Sequence, residues 1–249
     1  MKKLFVALLL LVSLASLASA AIPPRPTNLT FVNDFANLLS ASEEEDLTAV
    51  LAGIEAATSA EVVIVTVPTL GELTAFDYAQ RLFTQWGIGK RDKNNGLLML
   101  VSTREREFRF QTGYGLEGAL PDGHLGSLYR AHIIPEFGQG RFFDGLRAVL
   151  LANEGIVRRL EREYNVTIDS RALGAPRASA GPARYLEGGL NLLVVIILIL
   201  MLSTRGGRGL LWFLLGHSIG SMNRRGRGGG FGGGFGGGRS GGGGAGGRW

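Results

Sequence analysis

Six side chains in turn-forming stretches of this 249-residue chain offer hard oxygen donors: Asp34, Asp92, Asn94, Asn95, Glu117 and Asp122. Carboxylate and amide oxygens are what Ca²⁺ and Mg²⁺ require, so hard-cation binding is the chemistry these residue types could support. Two of them have a plainer use as well. Asp34 could close an Asx-turn before Phe35, and Asp122, after Pro121, could cap a helix. Thiolate chemistry is closed, because the chain has no cysteine. The histidines, His124, His132 and His217, fall in no ligand spacing. Neither a zinc-protease helix motif, nor a nucleophile elbow, nor a phosphate-cradling loop is present. The glycines of Gly113-Tyr114-Gly115-Leu116-Glu117-Gly118 do not make a nucleotide loop, because Pro121 interrupts before a helix can start. No catalytic residue is legible.

The elements that must position these donors follow from periodicity. Ser40 and Glu43 have capping-box spacing, and Leu47, Val50, Leu51 and Ile54 recur at helical intervals, which predicts a helix over about 42–58. Glu61 to Val67 is β-branched and stopped by Pro68, a buried strand. Phe76, Ala79, Leu82, Phe83 and Trp86 share one face of a second helix that Gly87 ends. Gly96 to Ser102 is a second apolar strand, and Glu107 to Thr112 alternates and should pair with it antiparallel across a tight turn at Thr103-Arg104. Helical stretches follow from Asp122 to about Phe137 and from about Phe142 to Tyr164. Helices interleaved with three strands predict an α/β domain, with helices covering both faces of a small mixed sheet.

Around the domain, composition predicts a membrane protein. Lys2 and Lys3, the apolar run Leu4–Leu14 and Ala18-Ser19-Ala20 form a secretory signal over 1–20. The domain is expected over 28–165, with a linker over 166–185. Residues 186–203 make 18 residues, about 27 Å of helix, enough for one transmembrane helix. A basic juxtamembrane segment, 204–225, leads to 226–249, where 16 of 24 residues are glycine and no core can form, so a disordered tail is expected there. The overall charge of +5 hides a division. Residues 28–169 carry 13 basic against 20 acidic side chains, and 170–249 carry 10 against one. An acidic domain argues against nucleic acid as partner; the basic tail suits anionic lipid or an acidic partner. The signal and the arginines together predict a single-pass protein of the cell membrane, with the domain extracytoplasmic (periplasmic or extracellular) and the tail cytoplasmic.

Three separated motifs, Val32-Asn33-Asp34-Phe35-Ala36-Asn37-Leu38-Leu39-Ser40, Trp86-Gly87-Ile88-Gly89 with Asn94-Asn95-Gly96, and Gly113-Tyr114-Gly115-Leu116-Glu117-Gly118-Ala119-Leu120-Pro121-Asp122, together resemble the TPM-domain family. That family is named for a thylakoid-lumen phosphatase, a photosystem II repair protein and a modulator of levamisole receptors. The resemblance covers about 29–165 and extends to the bacterial members with a signal peptide, a hydrophobic segment and a Gly-rich end. It implies a three-layer α/β/α sandwich and a divalent-cation site, which on matching positions falls to Asp34, Asn95 and Asp122. If the loops that carry them meet at one sheet end, the three could share one ion. Ca²⁺ is expected in preference to Zn²⁺, with Mg²⁺ a weaker competitor. The function so implied is a cation-binding domain that assists assembly or maintenance of membrane proteins through a membrane-protein partner. The alternative is a metal-dependent phosphomonoesterase, with Asp122 or Asp34 as general base for a metal-activated water.

Overall fold

The computed structural model describes residues 22–26, 30–171, 238, 240, 241 and 243–249. The expected signal sequence over 1–20, the span over 186–203 and the juxtamembrane segment 204–225 lie outside the described residues. Among the described residues no helix is long and apolar enough to cross a membrane.

In chain order the elements are β1 (Val32–Asp34), α1 (Ala41–Thr58), β2 (Glu61–Val67), α2 (Ala75–Trp86), β3 (Gly96–Ser102) and β4 (Glu107–Thr112). There follow α3 (Asp122–Leu128), which runs through a π-helical segment, Tyr129–Ile133, into α4 (Ile134–Phe137), then α5 (Phe142–Leu151), α6 (Ile156–Tyr164) and β5 (Gly246–Arg248). The capping box holds: Ser40 N–H donates to Glu43 Oε2 at 2.6 Å and Glu43 N–H to Ser40 Oγ at 3.3 Å. Gly87, at φ 64°, ends α2, since the left-handed conformation that closes the helix suits a residue without Cβ.

The sheet runs β1-β2-β3-β4-β5, with β1, β2 and β3 parallel and β4 and β5 antiparallel to their neighbours. Side chains alternate along β2 and β3, so each face has its own apolar cluster. Val62, Ile64, Leu97, Met99 and Val101 join α1, α3, α5 and α6 on one face. Val63, Val65, Leu98 and Leu100 join Tyr78, Ala79, Leu82, Phe83 and Trp86 of α2 on the other. Trp86 is fully buried, and its indole N–H donates to Pro23 O at 3.0 Å, which ties the proline-rich lead to the core. Helices thus cover both faces of a mixed sheet, as the strand and helix periodicities imply.

Four expectations change. β1 is a strand of three residues, too short to show alternation in sequence. The long helix over 142–164 is two helices: Gly155 turns against the end of α5, where a Cβ would stand 2.7 Å from Leu150 O, and its N–H donates to Ala152 O at 2.8 Å. Ile168, read as linker, is 4% exposed and belongs to the first cluster. The last residues of the tail are not disordered. Gly246–Arg248 adds a fifth strand to the sheet, and Trp249 packs edge-on to Phe137 (5.0 Å) and Phe142 (6.1 Å). A composition that cannot build its own core is here ordered by a core already built.

Candidate functional site

Asp34 ends β1, opposite Thr66 of β2. Its carboxylate accepts Leu39 N–H at 2.7 Å and the Thr66 hydroxyl, while Thr66 Oγ1 in turn accepts Ala36 N–H at 3.1 Å. The first motif therefore folds the chain back from β1 into the N-terminus of α1. Phe35, 42% exposed, lies edge-on to Trp86 at 6.3 Å.

Asn95 precedes β3 and is 1% exposed. Its amide donates to Ser59 O at 2.8 Å, and its Oδ1 accepts Lys90 N–H at 3.0 Å, so it bridges the end of α1 to the loop after α2. Beside it the fully buried Glu61 accepts Gly89 N–H at 2.6 Å and pairs with Lys90 Nζ at 2.5 Å, and Lys90 also reaches Glu55 at 2.7 Å. Burial pushes the Glu61 carboxyl above its ordinary value, with the Lys90 ammonium and the Gly89 N–H pulling back. Burial works against the Lys90 charge too, but its two carboxylate partners outweigh that and hold its pKa up.

The third motif lies on the second. Gly113 N–H donates to Gly96 O at 2.8 Å and Gly115 N–H to Asn94 O at 3.0 Å. A Cβ on Gly113 would stand 2.2 Å from Asn94 O, and one on Gly115 2.0 Å from Lys93 O. Glycine is required there because two backbones touch. Asp122 is not the N-cap of α3. That position is Pro121, and Asp122 Oδ1 instead accepts Gly244 N–H from the tail at 2.6 Å.

The three expected ligands are brought to three different places. Asp34 pairs with Thr66, and Thr66 with Val101, whereas Asn95 stands before Gly96 at the other end of β3. Six residues of strand, about 20 Å, separate those two levels. Asp122 belongs to the β4 edge, three strand spacings from β1, about 14 Å. One ion cannot bridge them, and among the described residues no three His, Cys, Asp or Glu side chains group as metal ligands. Glu117 is the carboxylate that does stand near Asp122. A Cβ on Gly243 would lie 3.1 Å from Glu117 Oε1 and 3.4 Å from Asp122 Oδ1, so both carboxylates stand beside that glycine.

What gathers around Asp122 is the outer edge of β4, which the last residues of the tail occupy. Phe110 N–H donates to Ala245 O at 2.6 Å and Thr112 N–H to Gly243 O at 3.1 Å, and Trp249 N–H donates to Arg106 O at 3.1 Å. Gln111 Nε2 donates to Ser240 Oγ, which donates to Thr112 O, both at 2.6 Å. At the far end Tyr129 Oη donates to Arg248 O at 2.5 Å, and Arg248 Nε stands 3.2 Å from Glu107. Sequence reading missed this surface because its parts are more than a hundred residues apart. The one local hint was Arg248-Trp249 after a run of glycine.

Residues 32–154 match the family model described as TPM domain. The solution NMR structure of the N-terminal domain of a protein from P. gingivalis is similar. It shares 36% identity over 56% of this chain and 87% of that one, with a TM-score of 0.50. Among curated proteins none matches. The motifs read from sequence, the fold that unites them and these two likenesses agree, and the chain belongs to the TPM-domain family.

Proposed function

We propose that this TPM domain is a binding module, tethered to a membrane outside the cytoplasm, that assists the assembly or maintenance of membrane proteins, and that its working surface is the edge of β4. The observation that carries this reading is the edge itself. It hydrogen-bonds an added strand through Phe110 and Thr112, with a carboxylate, Asp122, at one end and an aromatic pocket of Phe137, Phe142 and Tyr129 at the other. Strand addition draws affinity from backbone hydrogen bonds and specificity from flanking pockets, and this edge offers both. The membrane tether rests on the signal sequence over 1–20 and the apolar stretch over 186–203. Ca²⁺, with Mg²⁺ the weaker competitor, belongs to the proposal at Asp122 with Glu117 beside it; further ligands would be backbone and water oxygens, a mixed shell that Ca²⁺ tolerates better than Mg²⁺.

A photo-crosslinker replacing Glu107 on this edge, in the full chain in its native membrane, should capture a defined membrane protein. The same crosslinker at the exposed Arg81 on α2 should not. Equal capture from both positions, or none from either, overturns the reading. Turnover of a phosphomonoester by the purified protein, lost in Asp122→Asn, would replace it with the hydrolytic one.

A further inference from the structure

We propose that the β4 edge is a groove for glycine-rich segments followed by an aromatic residue, that its resident ligand is this chain's own segment 243–249, and that Trp249 therefore lies on the same side of the membrane as the domain. The proposal rests on the β4 edge being the working surface and names what fills it.

Two features make the groove selective. The first is that at two positions the peptide lies too close for a side chain: a Cβ on Gly244 (φ +139°) would stand 2.0 Å from Phe110 O, and one on Gly246 2.1 Å from Phe108 O. Both clashes are with the backbone of β4 itself, which cannot step aside without breaking its pairing to β3. A glycine run, which in isolation reads as disorder, is thus the shape this edge demands. The second is the Arg248-Trp249 pair. Trp249 meets Phe137 at 88° and Phe142 at 78°, both edge-to-face, while Arg248 is held by Glu107 and by Tyr129 Oη. Asp122 fixes the other end at Gly244 N–H. A strand so anchored cannot slide by one residue without losing the tryptophan pocket and the Asp122 contact together.

Tethering explains why the chain's own segment is the resident. A covalently linked segment competes at an effective concentration that a free peptide must exceed, so a partner with a similar segment would have to displace it. The consequence for topology is geometric. β5 and β4 are one sheet, so a signal sequence that carries the domain out of the cytoplasm requires the last residues to be out as well. A single crossing at 186–203 with a cytoplasmic tail is incompatible with the docked strand.

The chain has no cysteine, so Glu107→Cys with Arg248→Cys gives one unambiguous pair. The two residues stand directly opposite. They fall between the hydrogen-bonded levels of Phe108 and Arg106, a non-hydrogen-bonded pair whose Cα spacing of about 4.5 Å suits a disulfide. In the full chain, expressed with its signal and kept in its membrane, most molecules should form this disulfide within one chain, without added oxidant. Gly244→Val added to the pair should abolish it. A synthetic peptide of residues 240–249, present at millimolar concentration during oxidation of the reduced protein, should lower the yield several-fold, and the same peptide with Trp249→Ala should not. A covalent dimer would mean that the strand comes from a second copy and overturns the cis assignment. Absence of any disulfide, even with oxidant, overturns docking, and indifference to Gly244→Val or to both peptides overturns the groove. Loss of the disulfide together with specific capture at Glu107 would sink this inference while leaving the binding reading in place.

Discussion

Lys90 stands between a buried carboxylate and a half-buried one, and the stability of the loop after α2 depends on it. Glu61 is fully buried at the start of a strand whose other side chains are apolar or hydroxyl-bearing. Removing Lys90 leaves that carboxylate without its cation. Lys90→Met should cost about 3 kcal/mol, the low end for a broken buried pair because Lys90 itself is partly exposed. Glu61→Gln added to it should recover part of the loss, since the amide needs no counter-charge. The pH dependence has a definite sign. A carboxyl whose folded pKa is raised contributes most below its unfolded value and loses that contribution as pH rises through the folded value. Burial already raises Glu61 with Lys90 present, and without it the rise is larger. The deficit of Lys90→Met in denaturant melts should therefore be smallest near pH 4.5 and widen toward neutrality. A deficit that is flat with pH would show that Glu61 is not the group left unpaired.

At the scale of elements, the helix ends carry signals that are local and separable. Ser40→Ala should destabilise by about 1 kcal/mol, and Ser40→Ala with Glu43→Ala should cost less than the two alone, because the box is reciprocal. Additive losses in chemical denaturation would mean that the two contacts act independently. In α3, His124 is held below its ordinary pKa by burial and by the nearby Arg159 charge, and its Nε2 is buried with no hydrogen-bond partner. A histidine with a lowered folded pKa contributes fully above its unfolded value, near 6.5, and loses that contribution as pH falls through the folded one. The melting temperature of the wild type should therefore fall further between pH 7.5 and 5 than that of His124→Gln. Parallel curves would mean that this imidazole titrates as it does in the unfolded chain. The caps at Ser40 and Gly87 were legible because they are set within four residues. The break at Gly155 was not, since Leu146, Val149, Ile156 and Leu160 keep a helix-like spacing across it.

For the whole molecule, the docked tail gives the sheet its outer strand, and its effect should be confined to one edge. In Trp249→Ala, hydrogen exchange over 107–112 should speed up, because Phe110 and Thr112 lose their partners, while 96–102 in the central β3 should be unchanged. Faster exchange in both strands would mean that the tail stabilises the domain as a whole; no change in either would mean that it does not protect β4.

The sequence alone determined whatever depends on near neighbours. The capping box at Ser40, strands β2, β3 and β4, the stop at Gly87 and the α/β class all follow from spacings of two to four residues. The three motifs were also visible as a set, and they named the family. The tertiary structure decided what the motifs are for. Gly113 and Gly115 proved to be where the third motif's backbone lies on the second's, Asn95 proved to tie the end of α1 to the loop after α2, and Asp34 proved to be a fold-back tie to Thr66. Asp122 proved to be the anchor of a strand more than a hundred residues away. The physical reason is that register and close approach join residues by distance in space. Glycine in sequence states only that no side chain is present; whether that absence leaves the chain free or lets it lie against another backbone depends on what stands beside it once the sheet has formed.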